Sequence, residues 1–204
     1  MQTLTYAKLY DSALRSLTRR DHSTRELRDK LSRKFSGEVL LPQGAESGLG
    51  AGEGPAPFAD RCSLSDALDQ LLADLQEQNL LDDSRFAQAV VRSRCHRGYG
   101  PVYIRQELRK KGVNDTVLST ALEAFEHDAS EEWSHDPMGE QEAGAGGSEV
   151  DQCVWTAQAA LQIERRFPTA AQSRDIWLKA ARFLERRGFQ RDQMATVLGR
   201  MPAE

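Results

Sequence analysis

Long apolar runs are missing from this chain of 204 residues, and with them any expectation of a membrane span. The first residues, MQTLTYAKLYDSALRSL, lack a basic-then-apolar pattern, so no export signal is read and a cytoplasmic protein is expected. Cysteine is scarce: Cys62, Cys95 and Cys153 are an odd number at wide spacing with no C-x-x-C, which argues for free thiols in a reducing compartment rather than a disulfide or zinc framework. The adjacent Cys95 and His96 read as ordinary helix residues, and neither a metal nor a cofactor is expected. Catalytic motifs are missing as well: there is no phosphate-binding G-x-x-x-x-G-K-[ST], no H-E-x-x-H and no G-x-S-x-G. Asp82 and Asp83 are neighbours that helix capping explains, and Gly98-Tyr99-Gly100 follows no strand, so neither makes an active site. No segment alternates polar and apolar residues as a strand would. The chain reads as all-α and non-enzymatic.

What is present is organised around Leu80 to Val113, which holds a helix start, a stop, a second start and a second stop. Asp82, Asp83 or Ser84 can cap a helix whose apolar stripe is Phe86, Ala89, Val90 and Ser93. Gly98-Tyr99-Gly100 breaks it. Pro101 then opens a helix where its missing N–H costs nothing, Ile104 and Leu108 form the buried side, and Gly112 follows as a left-handed cap residue.

The same unit recurs along the chain. In the first copy, Tyr6, Leu9, Tyr10, Ala13, Leu14 and Leu17 share a helical face. Ser23 and Glu26 then form a capping-box pattern ahead of Leu27, Leu31 and Phe35, and Ser63 or Ser65 caps a helix carrying Ala67, Leu68, Leu71, Leu72 and Leu75. In the second copy, Asn114 or Asp115 caps a third helix with Val117, Leu118, Ala121, Leu122 and Phe125. The last copy places Val154, Ala157 and Leu161 on its first helix, Trp177, Ala180, Ala181 and Leu184 on its second, and Met194, Val197 and Leu198 on its third. Leu27/Leu31, Ile104/Leu108 and Ala180/Leu184 align, as do Lys110-Lys111-Gly112-Val113 and Arg186-Arg187-Gly188-Phe189. The expected fold is three tandem three-helix repeats in an elongated, curved array: residues 1–80, 81–128 and 151–204. Two stretches interrupt it, a disordered insertion at about 37–61 and an acidic, flexible linker over 129–150.

A formal net charge of −4 conceals blocks of alternating sign: +5 over residues 1–35, −9 over 36–83, +7 over 84–112, −11 over 113–151 and +4 over 152–204. Between Ser84 and Gly112 eight Lys/Arg face a single Glu107. A helix C-terminus favours cations for purely structural reasons. Even so, arginine outnumbers lysine, which suits bidentate contacts, and Arg105 and Arg109 repel one another at i, i+4 unless a partner neutralises them. The candidate binding face comprises Arg85, Arg92, Arg94, Arg97, Tyr99, Arg105, Arg109, Lys110, Lys111, Arg182, Arg186 and Arg187. Tyr99 and Tyr103 can either stack on a base or pack on a neighbour.

These residues carry a resemblance. Leu81-Asp82-Asp83-Ser84-Arg85-Phe86-Ala87, Arg94, Gly98-Tyr99-Gly100-Pro101, Ile104, Glu107-Leu108, Lys110-Lys111-Gly112-Val113 and the distal Arg182-Phe183-Leu184-x-x-Arg187-Gly188-Phe189 are similar, in this order and spacing, to the RecX family. The resemblance implies a cytoplasmic protein without enzymatic activity that regulates the RecA recombinase. Such a protein lies in the groove of the RecA filament on DNA and inhibits strand exchange, ATP hydrolysis and coprotease function. Its expected partners are the RecA filament, and single- or double-stranded DNA weakly or through RecA; a monomer is expected. The 36–61 insertion and the acidic linker depart from the family pattern. The rival reading is a free-standing helix-turn-helix-like DNA regulator. Against it, the third helices of the first two repeats carry Asp66, Asp69, Asp74, Glu77, Glu123 and Glu126, which phosphates would repel.

Limited proteolysis should cut first within 37–61 and 129–150, because neither stretch has enough periodic apolar side chains to offset its ordering entropy. Early cleavage within 84–112 would overturn the repeat assignment.

Overall fold

Polar caps decide where the helices begin. The computed structural model describes residues 3–40, 63–133, 153–170 and 173–202. Within them lie α1 (Tyr6–Leu17), α2 (Thr24–Lys34), α3 (Leu64–Glu77), α4 (Asp83–His96), α5 (Pro101–Lys110), α6 (Asp115–Trp133), α7 (Val154–Arg166), α8 (Arg174–Arg187) and α9 (Arg191–Leu198). Three successive sets of three helices make the all-α repeat architecture read from the sequence. Ser23 accepts from the Glu26 N–H at 3.1 Å, Asp82 from those of Ser84 and Arg85 at 2.7 and 3.2 Å, and Asn114 from that of Thr116 at 3.0 Å. Each such cap is worth about 1 kcal/mol. Ser63 and Asp66 complete a reciprocal capping box on α3. The box expected at Ser23 is only half made. The Glu26 carboxylate turns instead to Arg20 at 2.5 Å and Lys111 at 3.5 Å, since two cations compete better for it than a backbone N–H.

A short ladder adds to the helices. The strands β1 (Thr3–Leu4) and β2 (Val39–Leu40) pair in parallel, Thr3 opposite Val39 and Leu4 opposite Leu40. The first residues of the expected insertion therefore have a defined place, while residues 41–62 lie outside those described. In the same way α6 continues to Trp133, past the expected boundary at 128, and residues 134–150 of the acidic linker lie outside the described residues.

The chain divides into two compact units. Unit 1 comprises Met1–Phe86 with Lys111–Val113; unit 2 comprises Ala87–Lys110 with Asn114–Glu204, so most of the second repeat shares a unit with the third. In unit 1, Leu9 and Ala13 of α1, Leu27, Leu31 and Phe35 of and beside α2, and Leu68, Leu71 and Leu75 of α3 close around Leu4. Removing each such leucine from water contributes about 1.5–3 kcal/mol. Polar groups lock the edges: Asp83 accepts from the Thr24 N–H at 2.8 Å, and the Ser23 hydroxyl donates to the Lys111 carbonyl at 2.6 Å. Asp83 thus holds a first-turn N–H of α2 rather than capping its own helix.

Two faces differ from their expected stripes. On α4 the buried residues are Phe86, Ala87, Val91 and Cys95, whereas Ala89 and Ser93 are exposed and Val90 is half-buried. The doublets Phe86-Ala87 and Val90-Val91 allow two stripes one residue apart, and packing chooses the second. On α7 the buried residues are Val154, Trp155, Ala159 and Ile163, and Leu161 is exposed. Trp155 decides this rotation: its ring lies 5.4 Å from that of Phe125, and its Nε1–H donates to Glu126 at 2.5 Å.

Unit 2 is joined by an exchange between two helix ends. The last turn of α8 leaves carbonyls without intrahelical partners, and the first turn of α5 leaves N–H groups in the same condition. Here they satisfy each other: the Gly100 N–H donates to the Arg187 carbonyl at 2.8 Å and the Val102 N–H to the Gly188 carbonyl at 3.0 Å. Two glycines permit this approach. Gly188 has φ +81°, the left-handed cap read from the sequence, and a Cβ added at Gly100 would lie 2.4 Å from the Gly188 oxygen.

Gly100→Ala should therefore lower stability by about 1–3 kcal/mol through overpacking against backbone that cannot rotate away, read as a lower midpoint in thermal or urea melts. An unchanged midpoint would mean that the two helix ends are not held in contact. In unit 1, the His22 ring is buried with Nδ1 2.8 Å from the Arg20 carbonyl and Nε2 3.4 Å from the Lys30 ammonium. Burial, together with the Arg20 and Lys30 charges, pushes its pKa below the usual 6.5, despite the Arg20 carbonyl and Glu26. The unfolded chain then takes up the proton first, so stability is full above pH 6.5 and declines as pH falls through the depressed folded value. Melting midpoints of the wild type should fall between pH 7.5 and 5 more than those of His22→Gln; parallel curves would remove His22 from the account.

Candidate functional site

Helix α8 is built with two adjacent stripes. Ala180 and Leu184 are fully buried in the unit 2 core, along with Ala159, Ile163, Phe189 and Leu198. Lys179, Arg182, Phe183, Arg186 and Arg187 follow at i, i+3, i+4, i+7 and i+8, which puts them on one side of the helix at 3.6 residues per turn. They line one wall of a cleft of about 680 Å³ whose other walls are Tyr99 and Tyr103 around the start of α5 and Arg166 and Phe167 at the end of α7. Among the described residues, five cations and four aromatic rings line it and no acid does.

The rings are not independent. Tyr99 and Tyr103 stack with centroids 4.3 Å apart, and the Arg187 guanidinium lies 4.7 Å from the Tyr99 ring and 5.0 Å from that of Phe183. Arg166 lies 5.2 Å from the Phe183 centroid, and Phe167 meets Phe183 edge-on at 5.5 Å. Each cation over a ring contributes on the order of 0.5–2 kcal/mol, depending on its desolvation. The series Tyr103, Tyr99, Arg187, Phe183, Arg166 forms a floor that is already assembled. Packing on Tyr99 is thus how Tyr103 is used within the protein, and both rings remain half-buried rather than enclosed.

The twelve residues of the expected face fall into distinct surroundings. Arg85 and Lys111 belong to unit 1 and the others to unit 2. Arg85 lies 3.7 Å from Asp21 and donates to the Leu80 carbonyl, while Lys111 is half-buried between Glu26 and the Phe86 ring, 5.3 Å from its centroid. In unit 2, Arg92 pairs with Asp128 at 3.2 Å and Arg109 with Asp115 at 2.7 Å; these pairs are exposed and contribute little to stability, but they cancel the local field. Arg94 makes a two-pronged pair with Glu107 at 2.5 and 2.6 Å, which ties α4 to α5. That hydrogen bonding raises the Arg94 pKa against the opposing effect of burial. The Arg187 guanidinium donates to the carbonyls of Arg97 at 2.6 Å and Gly98 at 3.3 Å, so it closes the end of α4 and positions Tyr99. Arg97, Arg105, Lys110, Arg182 and Arg186 have no carboxylate partner among the described residues.

Sequence reasoning gathered Tyr99, Arg182, Arg186 and Arg187 but missed Lys179, Arg166, Phe167, Phe183 and, as a site residue, Tyr103. The i, i+4 spacing of Lys179 from Phe183 was a usable signal. The approach of Phe167 to Phe183 was not, because it depends on how α7 packs on α8. Cys95 and His96 point apart, the first buried and the second exposed, and burial pushes the Cys95 thiol up to about 11. Among the described residues no group of three or more His, Cys, Asp or Glu is placed to hold a metal ion, and no helix is long and apolar enough to cross a membrane.

Residues 10–40 match the family model of the first three-helix domain of RecX, and residues 82–122 that of the second. The regulatory protein RecX of Halorhodospira halophila is 36% identical over 185 residues, spanning 90% of this chain and 82% of that one. The regulatory protein RecX of Cronobacter sakazakii is 30% identical over 193 residues, 94% of this chain and 91% of its own. The crystal structure of RecX from Lactobacillus salivarius superimposes with a TM-score of 0.60 at 19% identity, covering 95% of this chain and 94% of that one, a likeness of fold. A protein of three-helix repeats, matched by both domain models and by relatives along nearly its whole length, is a member of the RecX family of regulatory proteins.

Proposed function

We propose that the protein is a non-enzymatic regulator that binds the RecA–DNA filament and inhibits its recombinase, ATPase and coprotease activities through a basic helical face. The observation that carries this reading is the distribution of unneutralised charge. Arg97, Arg105, Lys110, Lys179, Arg182 and Arg186 lack carboxylate partners among the described residues, and all belong to unit 2. Cations that repel one another on a helix lower stability by a few tenths of a kcal/mol per pair, a cost that a polyanionic or acidic partner would reverse. Membership of a family whose curated relatives are called regulatory proteins supports a regulatory role. The acids of α3 and α6 weigh against a free-standing duplex reader. Asp69 is neutralised by Arg28 at 3.0 Å, but Asp74, Glu77 and Glu123 have no cationic partner among the described residues and would repel phosphate.

The distinction between paired and unpaired cations supplies the test. Replacing Arg105, Lys110, Arg182 and Arg186 together by Ala should raise the concentration needed to inhibit RecA ATPase on DNA by on the order of tenfold or more, and should reduce co-sedimentation with filaments. Replacing the acid-paired Arg92 and Arg109 should change inhibition by less than about twofold. Neither set removes a buried apolar group, so helicity and melting should be retained. Full inhibition by the quadruple variant would place the site on another surface.

A further inference from the structure

The cleft of unit 2 combines features that a purely electrostatic contact does not need. Phosphate or carboxylate recognition requires cations alone, yet here the cations of α8 stand beside a prearranged series of rings. The ring at its end, Tyr103, is half-exposed and lines the opening. At about 680 Å³ the space falls within the range of small-ligand sites. Arg187, already bound to two backbone carbonyls, is a positioning residue that holds Tyr99 under Tyr103. Lys179, Arg182 and Arg186 are exposed and repeat along one wall at a rise of about 1.5 Å per residue; Glu185 of the same helix does not line the cleft, and no ion pair joins it to any of the three among the described residues.

We propose that this cleft binds a segment of single-stranded nucleic acid, with one unpaired base stacked against Tyr103 and the neighbouring phosphates on Lys179, Arg182 and Arg186. The choice of a single strand follows from the rings. In a duplex the base faces are stacked on each other and only phosphates reach a protein surface of this kind, whereas an unpaired strand offers a face to each exposed aromatic and its backbone to the flanking cations. An acidic peptide would satisfy the cations and leave the rings unused. The proposal deepens the filament-binding reading by naming the unpaired strand as what this cleft contacts.

The test uses the full chain and bare nucleic acid, with no recombinase present. Fluorescence anisotropy compares a labelled oligothymidylate with an abasic strand of equal length, a duplex and polyglutamate. The thymidylate strand should bind more tightly than the abasic strand, by about 5- to 150-fold for one stacked base, and polyglutamate should compete poorly. Tyr103→Leu, which keeps apolar bulk but cannot stack as a ring, should bring thymidylate binding down to the abasic level, while Tyr103→Phe retains it. Arg182→Ala and Arg186→Ala should each reduce the salt dependence on either strand by about 0.7. Equal affinity for the thymidylate and abasic strands by the wild-type protein overturns the proposal without recourse to any variant, as does a preference for polyglutamate or duplex. Base-dependent binding accompanied by no effect on RecA would leave the cleft standing and remove the filament reading; RecA inhibition without base-dependent binding would do the reverse.

Discussion

The donation of the Gly100 and Val102 N–H groups at the start of α5 to the Arg187 and Gly188 carbonyls at the end of α8 is the contact on which the rest of unit 2 depends. It satisfies the unpaired ends of two helices at once, groups whose burial without partners would cost on the order of 1–3 kcal/mol each. It also fixes the distance between the Tyr99-Tyr103 segment and the cationic side of α8. Arg187 serves the joint twice. Its carbonyl accepts from Gly100, and its guanidinium reaches across to the carbonyls of Arg97 and Gly98. The aromatic series over which it lies is therefore anchored by backbone rather than by side-chain packing alone. The walls of the cleft are thus set by hydrogen bonds within the fold itself.

Much of the architecture was legible because helix boundaries are written locally. Ser23, Ser63, Asp82, Asn114, Pro101, Gly112 and Gly188 sit where the sequence placed caps and stops, and the apolar stripes of α2, α3, α5 and α6 lie on the faces that their spacing predicts. Where two stripes were equally apolar, local information was insufficient. The Phe86-Ala87 and Val90-Val91 doublets left α4 free to rotate by one residue, and the contact of Trp155 with Phe125 and Glu126, set from α6, turned α7 away from Leu161. The β1–β2 ladder was illegible for a related reason: two residues cannot show a period, and their pairing depends on segments more than thirty positions apart.

The residues of the candidate site were visible as a charge pattern, but their surroundings were not. Counting charge finds the basic stretches; it cannot say which arginines are already occupied. Arg94 and Glu107, thirteen residues apart, were both visible, and their pairing follows only once α4 and α5 fold back on each other. Arg85, Arg92, Arg109 and Lys111 likewise find acids whose positions depend on turns or on other helices. What remains after this subtraction is a smaller and differently placed set of cations, and the aromatic residues among them come from three separate elements.

The exchange between α5 and α8 also gives the chain an order of assembly during synthesis. Unit 1 draws on nothing beyond Val113, so it can close while the remaining residues are still being made. The first turn of α5 cannot be completed then, because its acceptors at Arg187 and Gly188 are not yet present. At a translation rate of roughly 5–20 residues per second, the delay between Val113 and Gly188 is about 4 to 15 s. For that interval a nascent chain would carry a finished first unit followed by the beginnings of a second, with Tyr99 lacking the arginine that later lies over it. A stop anywhere before Arg187 would leave the second repeat without its closing partner, however complete its own three helices are.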